Sequence, residues 1–452
     1  MLLLIFRHDN RPDPLNFIFL SPGLGLGISA GIVFLNFIIF DQLNRGFILT
    51  CHGVLLLSFI LWNIKIFFSD KNHFTWITPQ QTKHILWLFA LIILSIPLWY
   101  QAHFYIFGGW DAWSTWNLKG RFLFLGGENW KNLFNPILWR ASPHYPLLLP
   151  FINVWGWIFL DYPQYQVPAF TSFLFTFSTI GLLYTGLKQL TKSNAGILLA
   201  GALLTLPNYL KLAFSQYCDI IISYYMLGSL FCLICTRKTN HKSYMILAGL
   251  FVGFLSFAKS EGLMAAVIIS TLSFPFLWWR NPSTEKRKLL KYFLIAAFVA
   301  FIPTIIFHVF YQPENQTFIN GIVSSEKPSN FLRLKIILGF YLLEIGAPIW
   351  NIITLFNSSL QTIDAKWNGL WIIIILGLIL SKGKCFRPKM MLIPLFLLLY
   401  ILAFTAYYYI NTYFEIGWWL QVTLHRLLFA LLPTVLFWFF YAVWDDNAAD
   451  VE

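Results

Sequence analysis

Apolar runs of about the length that crosses a bilayer recur along this chain, and they leave few folds open. A helix needs about 20 mostly apolar residues to span the hydrocarbon core. Phe17–Phe40, Phe47–Phe68, Ile85–Phe107, Lys291–Tyr311, Met390–Ile410 and Leu424–Trp444 all approach that length. The runs are continuous and lack the alternation of a membrane β-strand. Only 11% of the 452 residues are charged and 58% are hydrophobic, whereas about a quarter of a soluble domain is charged. The expectation is an all-α integral membrane protein with roughly eleven to thirteen transmembrane helices.

The formal net charge is +12, but its distribution argues against a nucleic-acid partner. The cations gather in short loops between spans: Arg237, Lys238 and Lys242; Arg280, Lys286, Arg287, Lys288 and Lys291; Lys382, Lys384, Arg387 and Lys389. Such loops are retained in the cytoplasm. With Arg7 and Arg11 also inside, the first two spans go out and back, and Lys71–Lys83 is cytoplasmic. Ile85–Phe107 then exits. The segment 108–145 becomes a long outer loop whose tryptophans suit short interfacial helices.

The same parity places 312–366 outside, where Glu344, Gly346 and Pro348 argue that 336–356 lies along the surface or re-enters. The path from Pro146 to Asp219 must also contain a partial span. Residues 1–84 thus read as two N-terminal helices added to a membrane core over 85–444, followed by an acidic cytoplasmic tail, 445–452.

The outer loop opens Gly108-Gly-Trp-Asp-Ala-Trp-Ser-Thr-Trp-Asn-Leu-Lys-Gly-Arg-Phe122. It sets Asp111, Lys119 and Arg121 among tryptophans at a membrane exit, which suits chemistry on a charged lipid headgroup. Lys259-Ser-Glu-Gly262 interrupts an apolar stretch on the same outer side. Ionisable residues in such places face polar cavities or one another and mark function by default. His144 and Tyr145 precede Pro146, Asp219 opens an apolar run, and Arg426 follows His425 near the outer end of the last span. Each has a plainer alternative. Asp111 and Asp219 can cap helices, Lys119 and Arg121 can anchor headgroups, Pro146 can start a helix and Arg426 can snorkel.

The residues identify no cofactor and leave a divalent metal open. The nine histidines are scattered, without the His-x-x-x-His spacing of a zinc helix, and there is no phosphate-binding Gly-rich loop. Cys232 and Cys235 sit inside an apolar run and read as core residues.

Taken in order, Gly-Gly-Trp-Asp111 through Trp116-Asn-Leu-Lys119, His144-Tyr-Pro-Leu-Leu-Leu-Pro150 and Lys259-Ser-Glu-Gly262 resemble bacterial members of the C-type glycosyltransferase superfamily. These are relatives of the protein O-mannosyltransferases and the aminoarabinose lipid A transferases. The resemblance runs from about Ile85 to about Trp444. Ser260 departs from it, since Asn often precedes the Glu-Gly.

The resemblance implies a polyprenyl-phosphate-linked sugar donor, used on the outer side of the bacterial plasma (inner) membrane by a hexosyl- or pentosyltransferase. The acceptor is a lipid, a polysaccharide or a protein. The family's catalytic acid in the first outer loop corresponds to Asp111, as the base that takes the acceptor's proton. Attack opposite the leaving phosphate implies inversion. The departing phosphate needs cations, with Lys119, Arg121, Lys259 and Arg426 as candidates. His144, Tyr145, Asp219 and Glu261 complete the substrate-binding set. The rival reading is a polytopic transporter or lipid flippase, but the two matching halves common among transporters are not evident.

Overall fold

Every regular element among the described residues is helical, as expected where the bilayer leaves backbone groups no outside partner. The computed structural model describes residues 14–69, 93, 96–194, 196–278, 283–323, 330–356 and 364–444. In chain order the main helices are α1 (Pro14–Phe40), α2 (Arg45–Ser69), α3 (Asn117–Leu125), α4 (Leu148–Ile158), α5 (Gln166–Thr191), α6 (Gly196–Leu204), α7 (Pro207–Ala213), α8 (Cys218–Thr239), α9 (Lys242–Ser256), α10 (Ser260–Trp278), α11 (Thr284–Ile306), α12 (Phe331–Phe356), α13 (Leu370–Leu380), α14 (Leu392–Ile410) and α15 (Ile416–Trp444). Among the described residues nine helices are long and apolar enough to cross a membrane, and a tenth span results if α6 and α7 count as one. The shorter apolar helices are α4, α9 and α13. The chain is an all-α integral membrane protein.

The bundle is organised around α8, which is apolar on all sides and buried along the whole of its most apolar stretch, as such a helix must be. It packs on α5, α9 and α15. α1 is built into the same core. Phe19, Phe34 and Phe37 are fully buried, and the hydroxyls of Tyr224 and Tyr225 on α8 donate to the carbonyls of Phe19 (2.7 Å) and Gly23 (2.8 Å) on α1. α2 is different: only 6% of its most apolar window is buried, so its apolar surface is left for lipid.

α9 and α11 meet backbone to backbone. A methyl group at Gly249 would sit 2.5 Å from the carbonyl oxygen of Phe293, and one at Gly253 would sit 2.7 Å from the carbonyl carbon of Ala300. This is the small-xxx-small contact of membrane helices, which draws its stability from close packing.

The partial span expected between Pro146 and Asp219 resolves into two features. α4 has 11 residues. α6 and α7 meet at 80°, because Pro207 has no N–H to continue the ladder and forces Leu206 into an extended conformation (φ −92°, ψ 106°).

Segment 336–356, expected to lie along the surface or re-enter, belongs to one continuous helix. α12 runs unbroken and is long enough to cross. Glu344 accepts hydrogen bonds from Lys366 (2.8 Å) and from the Trp367 indole (3.0 Å). Its charge is met from a neighbouring segment, so the helix has no need to unwind.

Segment 108–145, expected as an outer loop, is a string of short helical pieces: a π-turn over Ala112–Trp116, α3, and 3-10 turns over Gly127–Phe134 and Pro136–Ala141. Trp110, Trp113 and Trp139 are exposed, as interfacial rings should be, whereas Trp116 and Trp130 are buried in the protein core. Before the loop, residues 96–104 are helical. Most of 85–95, the Lys71–Lys83 loop, Arg7, Arg11, Arg280, most of Asn357–Lys366 and the tail 445–452 lie outside the described residues.

Candidate active site

Five charged side chains from four separate parts of the chain meet at one end of α8. Arg426 of α15 donates from Nη1 to Asp111 Oδ2 at 2.7 Å and from Nε to Asp219 Oδ2 at 2.7 Å. Lys259 lies 3.4 Å from the other oxygen of Asp219 and 2.6 Å from Glu261 Oε1. Carboxylates and cations therefore alternate in one line, Asp111–Arg426–Asp219–Lys259–Glu261. The ends of the line are open and the middle is closed. The side chains of Asp111 and Glu261 are 33% and 25% exposed, against 9% for Asp219 and 8% for Lys259.

Local structure places each member. Gln216, in a left-handed turn (φ 58°) just before α8, donates to the carbonyls of Tyr105 and Ile106, both at 2.9 Å, and accepts from Asn117 at 2.9 Å. The Gly109 N–H donates to Ser215 O at 2.9 Å. These bonds bind the start of segment 108–145 to the start of α8 and bring Asp111 beside Asp219. Asn153 of α4 donates to Asn117 (3.1 Å) and extends the network.

Lys259 and Glu261 are set by the break between α9 and α10. The Phe257 carbonyl there accepts from Leu148 N at 3.1 Å, and the Cys218 thiol donates to Ala258 O at 3.2 Å. The Arg426 guanidinium lies over the Tyr217 ring, 4.4 Å from its centroid, a placement that favours a cation. Arg426 Nη2 and Glu261 Oε2 are buried without a hydrogen-bond partner.

Around the ionic line, Trp116 and Tyr145 stack face to face with centroids 5.7 Å apart. Lys119 lies against both rings and donates to the carbonyls of Ser142 (2.6 Å) and Tyr145 (3.2 Å). Burial with no carboxylate nearby lowers its pKa to about 7. For Lys259 burial also opposes the charged form, but Asp219 and Glu261 outweigh it and hold the ammonium well above the usual lysine range. His144 is lowered to about 4 by burial and by the Lys119 and Lys259 charges, so its ring is neutral near pH 7. Its carbonyl accepts from Gln312 (3.3 Å), which ties segment 108–145 to the residue after the π-turn that follows α11. Burial, reinforced by Glu261, raises the Tyr145 phenol.

Of the residues expected from sequence, Asp111, Asp219, Lys259, Glu261 and Arg426 form one connected group, with Tyr145, His144 and Lys119 packed beside it. Asp219 does not act as a helix cap: both its oxygens are taken by cations. Lys119 is enclosed and does not reach toward headgroups. Arg121 stands apart, stacked on Tyr165 at 4.7 Å, and none of its contacts reaches the ionic line. Sequence reasoning missed Gln216, Asn117 and Asn153 as the residues that hold the site in place. The available signal was a set of amides inside otherwise apolar or aromatic segments. Among the described residues no three His, Cys, Asp or Glu side chains are grouped so as to hold a metal ion.

Residues 152–307 match the family model described as dolichyl-phosphate-mannose-protein mannosyltransferase. Over that segment the chain is similar to this family. The match covers about a third of the chain, from within α4 to the end of α11, and includes Asp219, Lys259 and Glu261. It supports the resemblance to the C-type glycosyltransferase superfamily. With the nine apolar helices, it supports a membrane glycosyltransferase. No curated protein and no solved structure matches the chain.

Proposed function

We propose that the protein transfers a hexose or pentose from a polyprenyl-phosphate-linked donor to an acceptor at the outer face of a bacterial plasma membrane, with inversion at the sugar carbon. The observation that carries this reading is the pairing of an accessible carboxylate, Asp111, with a guanidinium, Arg426, that keeps one buried nitrogen free.

A glycosyl phosphate already holds its leaving group, so the demand is for a base and for cations. Asp111 takes the proton of the acceptor hydroxyl as the acceptor oxygen bonds to C1. The bond from C1 to the phosphate oxygen breaks, and its electron pair leaves with the polyprenyl phosphate. Arg426 and Lys259 oppose the charge that develops there, and the guanidinium fork suits phosphate oxygens. Lys119 packs on Tyr145 and steadies the loop that carries Asp111, while Arg121 stacks on Tyr165. The membrane lipid, the donor and a lipid, polysaccharide or protein acceptor are the partners this reading requires.

The test is to find the glycan or glycolipid lost from cells that lack this protein, and to restore it from a plasmid. Wild-type protein should restore it and Asp111→Asn should not. Full restoration by Asp111→Asn would remove Asp111 from the chemistry.

A further inference from the structure

The ionic line has two accessible ends, and the reaction just proposed uses only the one at Asp111. The other end is Glu261. One of its oxygens is held by Lys259 at 2.6 Å, while Oε2 is shut off from solvent and meets no donor. An ionised carboxylate is an acceptor only, so this oxygen lacks an O–H or N–H.

The surroundings are phenolic. The Tyr145 ring lies 5.4 Å from Lys259 Nζ. The Tyr400 hydroxyl is 3.5 Å from the Glu261 carbonyl oxygen. About two helical turns further along α14, the Tyr407 hydroxyl accepts from Asn411 at 3.2 Å. The charge of Glu261 acts on all three phenols. They come from the outer loop and from α14, which packs on α10, so the group is assembled by tertiary structure rather than by one helix end.

We propose that Glu261, Tyr145, Tyr400 and Tyr407 form the subsite that binds the hydroxyl groups of the donor's sugar. The proposal rests on the glycosyltransferase reading. The open oxygen of Glu261 repels phosphate, so the donor's phosphate belongs at the Arg426 end, where a guanidinium nitrogen is unpartnered. Phenols supply both donors and acceptors to a polyol, and their rings offer flat apolar faces to its C–H groups. The alternating charges thus sort one substrate into two parts, anion toward the guanidinium and polyol toward Glu261. A site built to hydrogen-bond a hydroxyl discriminates strongly against a ligand that lacks it, so these residues determine sugar specificity.

The experiment uses purified full-length protein and two sets of probes. One is a polyprenyl phosphate without sugar; the other is the same lipid bearing mannose, glucose or galactose. Wild type should bind at least one sugar-bearing lipid more tightly than the bare phosphate. Glu261→Gln, and separately Tyr400→Phe, should weaken that sugar-bearing lipid roughly tenfold or more while leaving the bare phosphate unchanged.

Equal weakening of both probes would mean that Glu261 acts only through Lys259, and would overturn the proposal. So would unchanged binding in both variants, or a wild type that does not distinguish sugar-bearing from bare lipid. A wild type that binds no member of either set would overturn the glycosyltransferase reading itself, and the subsite with it.

Discussion

Arg426 holds Asp111 by one oxygen, Oδ2, at 2.7 Å, and among the described residues no group takes Oδ1. Asp219 has no such freedom, since Arg426 takes Oδ2 and Lys259 takes Oδ1. Two aspartates on one guanidinium therefore have different parts. The buried one fixes the arginine, and the accessible one keeps an oxygen available for a proton.

Asp111→Asn preserves the size of the side chain and an acceptor for Arg426 but cannot take a proton. General bases contribute about 10²–10⁴-fold. The variant should fold, insert and bind donor, with the transfer rate reduced at least ~100-fold. The check is the initial rate of polyprenyl phosphate release from purified protein. A wild-type rate would move the base elsewhere, with Glu261 or Asp219 next in line.

Arg426→Ala strips two carboxylates of their shared partner, one of them buried. Removing one member of a buried pair costs about 3–5 kcal/mol, so thermal stability in detergent should fall clearly. Arg426→Lys should recover only part of it, because an ammonium lacks the fork that reaches both aspartates. Combining Arg426→Met with Asp219→Leu should regain much of the stability while transfer stays lost. A double variant as unstable as Arg426→Ala would contradict this account of the centre.

Lys119 predicts a pH dependence. Its folded pKa of about 7 lies below the ~10.4 of an unfolded chain. Between these values the unfolded chain holds a proton that the folded lysine has released. The contribution to stability therefore rises with pH from about 7 to about 10 and is flat outside that window. Lys119→Met should remove this rise when melting temperature is followed across the range. The same slope in the variant would assign it to another group.

Gly249 and Gly339 give opposite expectations. A methyl at Gly249 meets the Phe293 carbonyl oxygen at 2.5 Å, whereas one at Gly339 of α12 meets nothing within 4 Å. Gly339→Ala should be neutral or stabilising by about 0.5–1 kcal/mol, through the lower flexibility of alanine. Gly249→Ala should destabilise by about 1–3 kcal/mol, because α9 and α11 must separate. Melting temperatures that shift alike in the two variants would count against the close α9–α11 contact.

Hydropathy made the spans legible because lipid and protein core demand the same composition. For that reason it did not separate α8, which is entirely enclosed, from α2, which is mostly exposed. The charges of the site stood out as breaks in apolar runs, and Asp111, Asp219, Lys259, Glu261 and Arg426 could be named one by one. Their pairing could not, because the bond from Arg426 to Asp111 joins positions 315 apart. Lys119 and Arg121 looked equivalent two residues apart, yet a short helix turns one inward and the other toward Tyr165. The partners of Glu344, Lys366 and Trp367, were likewise hidden, since they stand more than twenty positions further along the chain.

The bonds from Tyr224 and Tyr225 to the α1 backbone join residues 205 and 202 positions apart, which has a consequence for biosynthesis. α1 leaves the ribosome long before α8 exists. Its inner face must therefore wait at the insertion site, or in lipid, while several other spans are made. The centre of the bundle closes only when α8 arrives, and the Asp111–Arg426 pair closes later still, once α15 is in place. Membrane insertion of the early helices and assembly of the candidate active site are thus separate events. A chain cut after α14 would be integrated yet lack the arginine on which its two aspartates converge.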